Sequence, residues 1–370
     1  MIKISRRGII KVLSAIGIAT TVGLPTLSQA APVDFAGKTV EIIVPYTEGG
    51  GTDVYVRLLA PFLQKYLPGQ PTIVVRNFPG GASIMGSNRF EARAKPDGLS
   101  IIATSSSTSV AQVMGGDDRQ FDLLTWRQII VTSLGTVVYF APQTGVTGKD
   151  PVADIRMLLE KHTKLLYGAK QPNAAEIRII LALDLLGLNF ETIFNVARGE
   201  VREAMLRGEM QVNDDTSGAF LDRVMPLVKR GELVPMFTLG SIKDGKLTRD
   251  PIFPDLITIG ELYEGVYGKA PSGEIWDALK RFIYLAEIGA KGLALPKGTP
   301  DNIRDAYVAA LQKTIADDKF KQMARDLIGD YPHVLGDEAD AVIDTAVNLP
   351  PATKDWLAIY LKKKFDVVIK

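Results

Sequence analysis

Short apolar runs, each closed by a turn signal and followed by a stretch with helical spacing, recur along most of the chain. Residues 39–44 are rich in β-branched side chains and stop at Pro45, which reads as a strand. A glycine-rich turn follows, then 54–66 with apolar residues three and four apart, which predicts a helix. The same grammar returns at 72–75 and 99–104 as strands, with a helix around 84–94 between them. Three such units in succession predict an α/β fold built on a parallel sheet with helices on both faces.

The pattern then restarts. Strands are predicted at 129–134, 136–141, 165–167 and 233–239, and helices at 155–162, 174–186 and 220–229. The β-rich crossing near 130–141 marks this stretch as a second α/β lobe. The run Asn213-Asp214-Asp215 reads as a turn or helix start, because Asn and Asp favour such positions. The tail 300–370 is chiefly helical, most regularly over 302–316, and the segment around 260–289 has no assigned role.

The first thirty residues follow another logic. Lys3, Arg6, Arg7 and Lys11 precede or open an apolar stretch over 9–24, and Ser28-Gln29-Ala30 ends it, the layout of an export signal cleaved after Ala30. Its apolar span is shorter than the roughly 20 residues a bilayer needs, and Pro25 ends it. Ser5-Arg6-Arg7-Gly8-Ile9-Ile10-Lys11 also resembles the twin-arginine motif, although paired arginines occur in ordinary signals too. A periplasmic protein is expected.

Composition narrows the chemistry. With 370 residues, length favours two domains. The absence of cysteine excludes disulfides, thiol nucleophiles, cysteine metal sites and a lipobox. A net charge of +1, falling to about −3 once the four basic residues of the signal are gone, leaves no field to hold nucleic acid or an anionic membrane. Any attraction for an anion must therefore be local.

Two loops suit that task. Gly49-Gly50-Gly51-Thr52-Asp53 lies between a strand and a helix. Glycines let backbone amides approach a ligand, and a helix N-terminus favours negative charge. The loop is not a Walker loop and does not fit G-x-G-x-x-G. Asn77-Phe78-Pro79-Gly80-Gly81-Ala82 repeats the device after the second strand, and adjacent loops at the carboxyl ends of strands are where open α/β sheets bind ligands.

Val44-Pro45 with this first loop, Asn77-x-Pro79-Gly80-Gly81-Ala82 and Pro96-Asp97-Gly98 resemble the periplasmic solute-binding proteins of tripartite tricarboxylate transporters, the Bug family. Arg198-Gly199, the run Gly208-Glu209-Met210-Gln211-Val212, Phe253-Pro254-Asp255 and Leu295-Pro296-Lys297-Gly298-Thr299-Pro300 follow in the family's order, so the likeness spans about 38–350. It implies a two-lobed, type 2 periplasmic binding fold with a ligand cleft between lobes. One lobe would comprise 31–134 plus about 255–370, and the other about 135–254. It further implies a monomeric receptor that closes on a small organic carboxylate and presents it to membrane permease subunits.

By the same resemblance, Tyr46, Gly50, Gly51, Thr52, Asp53 and Gly81 would face the ligand from the first lobe, with Ser105 and Ser106 lining the cleft. Ala169, Lys170, Asn173, Arg198 and Asp214 would face it from the second. Asp53 would repel a carboxylate directly, so capping the helix, ordering water or meeting a polar ligand group is its expected part. Where family members usually carry Gly and Ser, this chain has residues 169–176 with Lys170 and Glu176. Lys170 is a candidate partner for an anion, and Glu176 for an amino group, which leaves an amphoteric or aromatic carboxylate open beside a simple one. Arg198 is either a bidentate carboxylate clamp or the exposed start of a helix.

Ser105-Ser106-Ser107 lies in no G-x-S-x-G elbow, and His162 and His333 show neither triad nor metal-ligand spacing. No catalytic residue, metal or cofactor is expected. Two other readings use the same residues: an exported enzyme for an acidic small molecule, suggested by Glu176, Asp214 and Asp215, and a ligand sensor for a signalling kinase.

Overall fold

The computed structural model describes residues 33–243 and 246–368, so the expected export signal lies outside the described residues. The first four strands are β1 (Thr39–Val44), β2 (Thr72–Asn77), β3 (Ser100–Ser105) and β4 (Arg127–Thr132). β1 pairs in parallel with β2 and β3, each connection passing through a helix. A second sheet contains β5 (Thr136–Phe140), β6 (Leu165–Gly168), β7 (Phe190–Ile193), β8 (Val212–Thr216) and β9 (Val234–Thr238). A small antiparallel ribbon follows, β10 (Ser241–Lys243) with β11 (Lys246–Thr248). The chain then returns to the first sheet as β12 (Lys291–Leu295) and β13 (His333–Leu335).

The strand orders are β13-β4-β12-β3-β1-β2 and β7-β6-β8-β5-β9. Neither sheet is purely parallel, contrary to the expectation for the first. β12 inserts antiparallel between β3 and β4, with Lys291 opposite Ser105 and Thr132. Its residues are buried throughout, so a strand contributed from far along the chain completes the layer. In the second sheet β5 is antiparallel to both β8 and β9. Two α/β lobes with mixed sheets are the result.

The helix Ile177–Leu185 is apolar on nearly every face and almost wholly buried, as a helix must be when covered on all sides. The segment without an assigned role forms two helices, Ile259–Tyr267 and Glu274–Ile288. The second has an amphipathic pattern, and its Leu279, Phe282 and Ile283 join Ile179, Ile180 and Leu183 in one apolar cluster. Leu357 and Leu361 of the terminal helix Pro351–Phe365 join the same cluster. The same cluster includes Val110, Val113 and Met114 of the helix Ser106–Met114, so these segments pack against helices of both lobes.

The chain crosses between the layers at 133–135 and again at 289–290. Gly135 is tightly confined at the first crossing: a Cβ there would lie 1.5 Å from Asp250 Oδ2. Asp250 in turn accepts hydrogen bonds from the Tyr331 hydroxyl at 2.7 and 2.9 Å. Among the described residues no helix is long and apolar enough to cross a membrane.

Candidate functional site

The first wall of the site is the start of the helix Gly51–Tyr66. Gly49 sits at φ 70°, a left-handed conformation suited to glycine. A Cβ on Gly51 would come within 3.1 Å of Thr216 Oγ1, at the end of β8 in the other lobe, so a side chain there would force Thr216 to give way. Its first-turn amides have no acceptor within the helix. Tyr46 leans across the loop and shares hydrogen bonds with Ser105 Oγ and Thr108 Oγ1. Ser105 itself caps the next helix, Ser106–Met114, by accepting from Ser107 N at 3.2 Å.

Asp53 does not cap its helix. Its carboxylate accepts from Gly49 N at 2.9 Å, Arg57 Nε at 2.9 Å and Asn77 Nδ2 at 3.0 Å, and Asn77 also donates to Tyr46 O. Burial alone would raise its pKa. The Arg57 bond, the Gly49 amide and the Asn77 amide outweigh burial and hold it below the usual carboxylate range. Asp53 is thus the strut that fixes the first glycine loop to the strand carrying the second.

The facing wall is a buried ion network. Glu176, just before the helix Ile177–Leu185, is fully enclosed, with Lys170 Nζ 2.6 Å and Arg198 Nη2 2.8 Å from its Oε1. Arg198 also lies 3.0 Å from Asp214 Oδ2, and Arg178 reaches the same oxygen at 3.6 Å. Arg202 pairs with Asp215 at 2.5 Å. Tyr167 and Tyr139 donate to Asp214 and Asp215 at 2.9 and 2.8 Å. Asn213, Asp214 and Asp215 therefore belong to a fully buried strand, β8, rather than to the expected turn. Pairing with arginines and tyrosines overrides the local turn preference of these residue types.

Burial would raise the pKa of Glu176, but Lys170 and Arg198 bring it down to about 2. Lys170 is lowered by burial, against the pull of Glu176. Burial raises Asp215, against Arg202 and Arg198. Glu176 Oε2 and Arg178 Nε have no hydrogen-bond partner among the described residues.

Between the walls lies a cavity of about 480 Å³. Of the residues expected at the ligand, Tyr46, Gly50, Gly51, Thr52, Ser105, Ser106, Lys170 and Arg198 line it. Arg198 is well covered, not an exposed helix start. Asp53 and Asp214 are buried behind the walls. Gly81, Ala169 and Asn173 are not on the cavity surface. Gly86, in the helix that follows the second glycine loop, packs instead against the first loop, where a Cβ on it would lie 2.6 Å from Pro45.

The cavity also contains residues the sequence reading passed over: Arg178, Arg202, Thr216 and Lys291. Arg178 left a signal as the one cation in the apolar start of its helix. Lys291 left a weaker one, a single cation opening an apolar strand. It is 6% exposed, and its ammonium donates to Thr52 Oγ1 at 2.9 Å. Among the described residues no carboxylate lies within ion-pair distance of it. No grouping of His, Asp or Glu among those residues could hold a metal ion. The arrangement can bind an anion between backbone amides on one side and guanidinium and ammonium groups on the other.

No protein-family model matches the chain. Protein BugT of Bordetella pertussis is 36% identical over 104 residues, 27% of this chain and 30% of BugT, so the chain aligns with less than a third of that relative. A UPF0065 protein of Cupriavidus necator, from a gbd 5′ region, is 26% identical over 274 residues, 73% of this chain and 76% of that protein. Among solved structures, a Rhodopseudomonas palustris protein with adipate has a TM-score of 0.67 at 18% identity, covering 88% of this chain and 98% of its own. MatC of the same organism, with bound malate, gives 0.65 at 19%, covering 86% and 98%. The periplasmic binding protein BugD gives 0.64 at 23%, covering 88% and 97%. At these identities the structural likeness establishes the fold.

Proposed function

We propose, from the premise that this chain is a periplasmic binding protein of the Bug and TctC type, that it is an extracytoplasmic receptor for a small organic carboxylate. The observation that carries this reading is the cavity itself: a glycine-loop helix start on one lobe faces Lys170, Arg178 and Arg198 on the other. A carboxylate placed there accepts from the amides of the first helical turn and from the Thr52 hydroxyl. Cations of the second lobe then meet its remaining oxygens or a second acidic group. Contacts to both lobes favour the form in which they are together, so ligand shifts the population toward closure. The closed receptor would deliver its cargo to a membrane transporter of the tripartite tricarboxylate type.

An amino-bearing ligand paired to Glu176 is less well supported than sequence alone suggested, because Lys170 and Arg198 already occupy that carboxylate. The enzyme reading loses its motive for the same reason: Glu176, Asp214 and Asp215 are engaged by cations and tyrosines. BugT and BugD are named as Bug proteins, the latter as a binding protein.

Mass spectrometry of protein purified gently from its native periplasm tests the reading, followed by thermal-shift measurements on a carboxylate panel. A true ligand at 100 times its Kd adds about 2.7 kcal/mol of stability. If no carboxylate is retained and none shifts melting, the receptor reading fails. Pull-down with ligand present then separates a permease partner from a signalling kinase.

A further inference from the structure

We propose that Lys291 is a direct contact for the ligand carboxylate that docks at the start of the helix Gly51–Tyr66, and that capture of that carboxylate takes up a proton. The inference rests on the receptor reading and specifies the residue that meets the ligand's charge. Its geometric basis is a buried ammonium on the cavity wall, hydrogen-bonded to a neutral hydroxyl, beside the N-terminus of a long helix. Every other buried cation of the site has a carboxylate within reach: Lys170 and Arg198 share Glu176, Arg178 and Arg198 share Asp214, and Arg202 has Asp215. Lys291 has none among the described residues. Its opposite numbers across the strands, Ser105 and Thr132, are neutral.

A buried, unpaired charge is costly, and the ligand is the group that can meet it. Arg198, Lys170 and Arg178 face Lys291 from the second lobe, and Glu176 is the acidic group among its charged neighbours. Burial first, then these three cations, hold the Lys291 pKa well below the ordinary lysine value. A carboxylate set against the ammonium reverses that balance and favours the charged form. In the interval between the ligand-free and ligand-bound values, binding draws in a proton, and affinity for the anion falls as pH rises. Because the Lys291 ammonium donates to Thr52 Oγ1, a single carboxylate at the helix start meets the first-turn amides and Lys291 together.

Isothermal titration calorimetry of the full chain tests this, using succinate, adipate and suberate against butyrate, hexanoate and octanoate. Titrations in buffers of different ionisation enthalpy count protons, and a series from about pH 6 to about pH 9 spans the interval below an ordinary lysine's value. The expected result is binding of at least one of the six with proton uptake and weakening toward high pH. Lys291→Met should abolish the proton uptake and weaken binding about tenfold or more, worth about 1.4 kcal/mol. If a ligand binds the native protein with no proton exchange and no weakening toward high pH, the role of Lys291 is wrong while the receptor reading stands. If none of the six binds, both fall. The native-protein measurements decide the matter even if the variant does not fold.

Discussion

Replacing Glu176 by glutamine removes one negative charge from the middle of the buried network while keeping the side chain's shape. Its Oε1 lies 2.6 Å from Lys170 and 2.8 Å from Arg198, and the residue has no solvent exposure. The fall of its pKa from 4.5 to about 2, at about 1.36 kcal/mol for each pH unit, is worth ~3 kcal/mol. A second route gives a similar size: removing one partner from a buried ion pair costs about 3–5 kcal/mol, because the other charge is left buried and uncompensated. The folded pKa is depressed, so this stability is fully present above pH ~4.5 and drains away as pH falls toward 2. Urea denaturation of native and Glu176→Gln protein at neutral pH should differ by ~3 kcal/mol, with no change in the dependence on urea. Repeating it at about pH 3 should narrow the gap. A bound anion should also narrow it at neutral pH by supplying counter-charge. A neutral-pH difference under ~1 kcal/mol, or one indifferent to pH, would refute the view that Glu176 is the counter-ion of Lys170 and Arg198.

Three further outcomes follow from the same contacts. Gly135→Ala places a Cβ 1.5 Å from Asp250 Oδ2, and should cost about 1–3 kcal/mol or more in chemical denaturation; a neutral effect would mean the crossing between the sheets is not tightly held. Asp53→Ala removes the acceptor for Gly49 N and Asn77 Nδ2 without touching the cavity, and should weaken ligand binding about tenfold; calorimetry showing unchanged affinity would remove Asp53 as a positioning residue. Thr258→Ala deletes the cap of the helix Ile259–Tyr267, where Thr258 Oγ1 accepts from Glu261 N at 3.1 Å, and should cost about 1 kcal/mol with ligand affinity unchanged.

What the sequence disclosed was what local pattern controls. The first glycine loop stood out because a β-branched strand, a glycine turn and an amphipathic helix are consecutive in the chain. Lys170 and Arg198 were within reach through the order of the family-like motifs. Lys291 was not, since Thr52 lies 239 residues away and the contact exists only because β12 inserts between β3 and β4. Asp214 and Asp215 read as a turn because their partners, Arg198, Arg202, Tyr139 and Tyr167, come from elsewhere. Asp53 had the right residue type for a cap, and only the path of the loop shows that it holds Gly49 instead. The second glycine loop misled for the opposite reason: its glycines stay off the cavity surface, and Gly86 of the following helix serves close packing against Pro45.

If the chain is the receptor proposed above, the distribution of charge also bears on how it would respond to its ligand. Lys291 belongs to the first lobe, whereas Lys170, Arg178 and Arg198 belong to the second, so bringing the lobes together without an anion either presses like charges toward one another or strips the Lys291 proton, and Glu176 offsets this only in part. An anion between the lobes turns that repulsion into two attractions. Closure of such a receptor would then be conditional on cargo, because the ligand would supply the differential interaction between the two forms that any shift of population requires. On this view the near-neutral charge of the whole chain is no obstacle to anion capture. The selective force is set inside the cleft, where water screens least, and the surface charge contributes little to it.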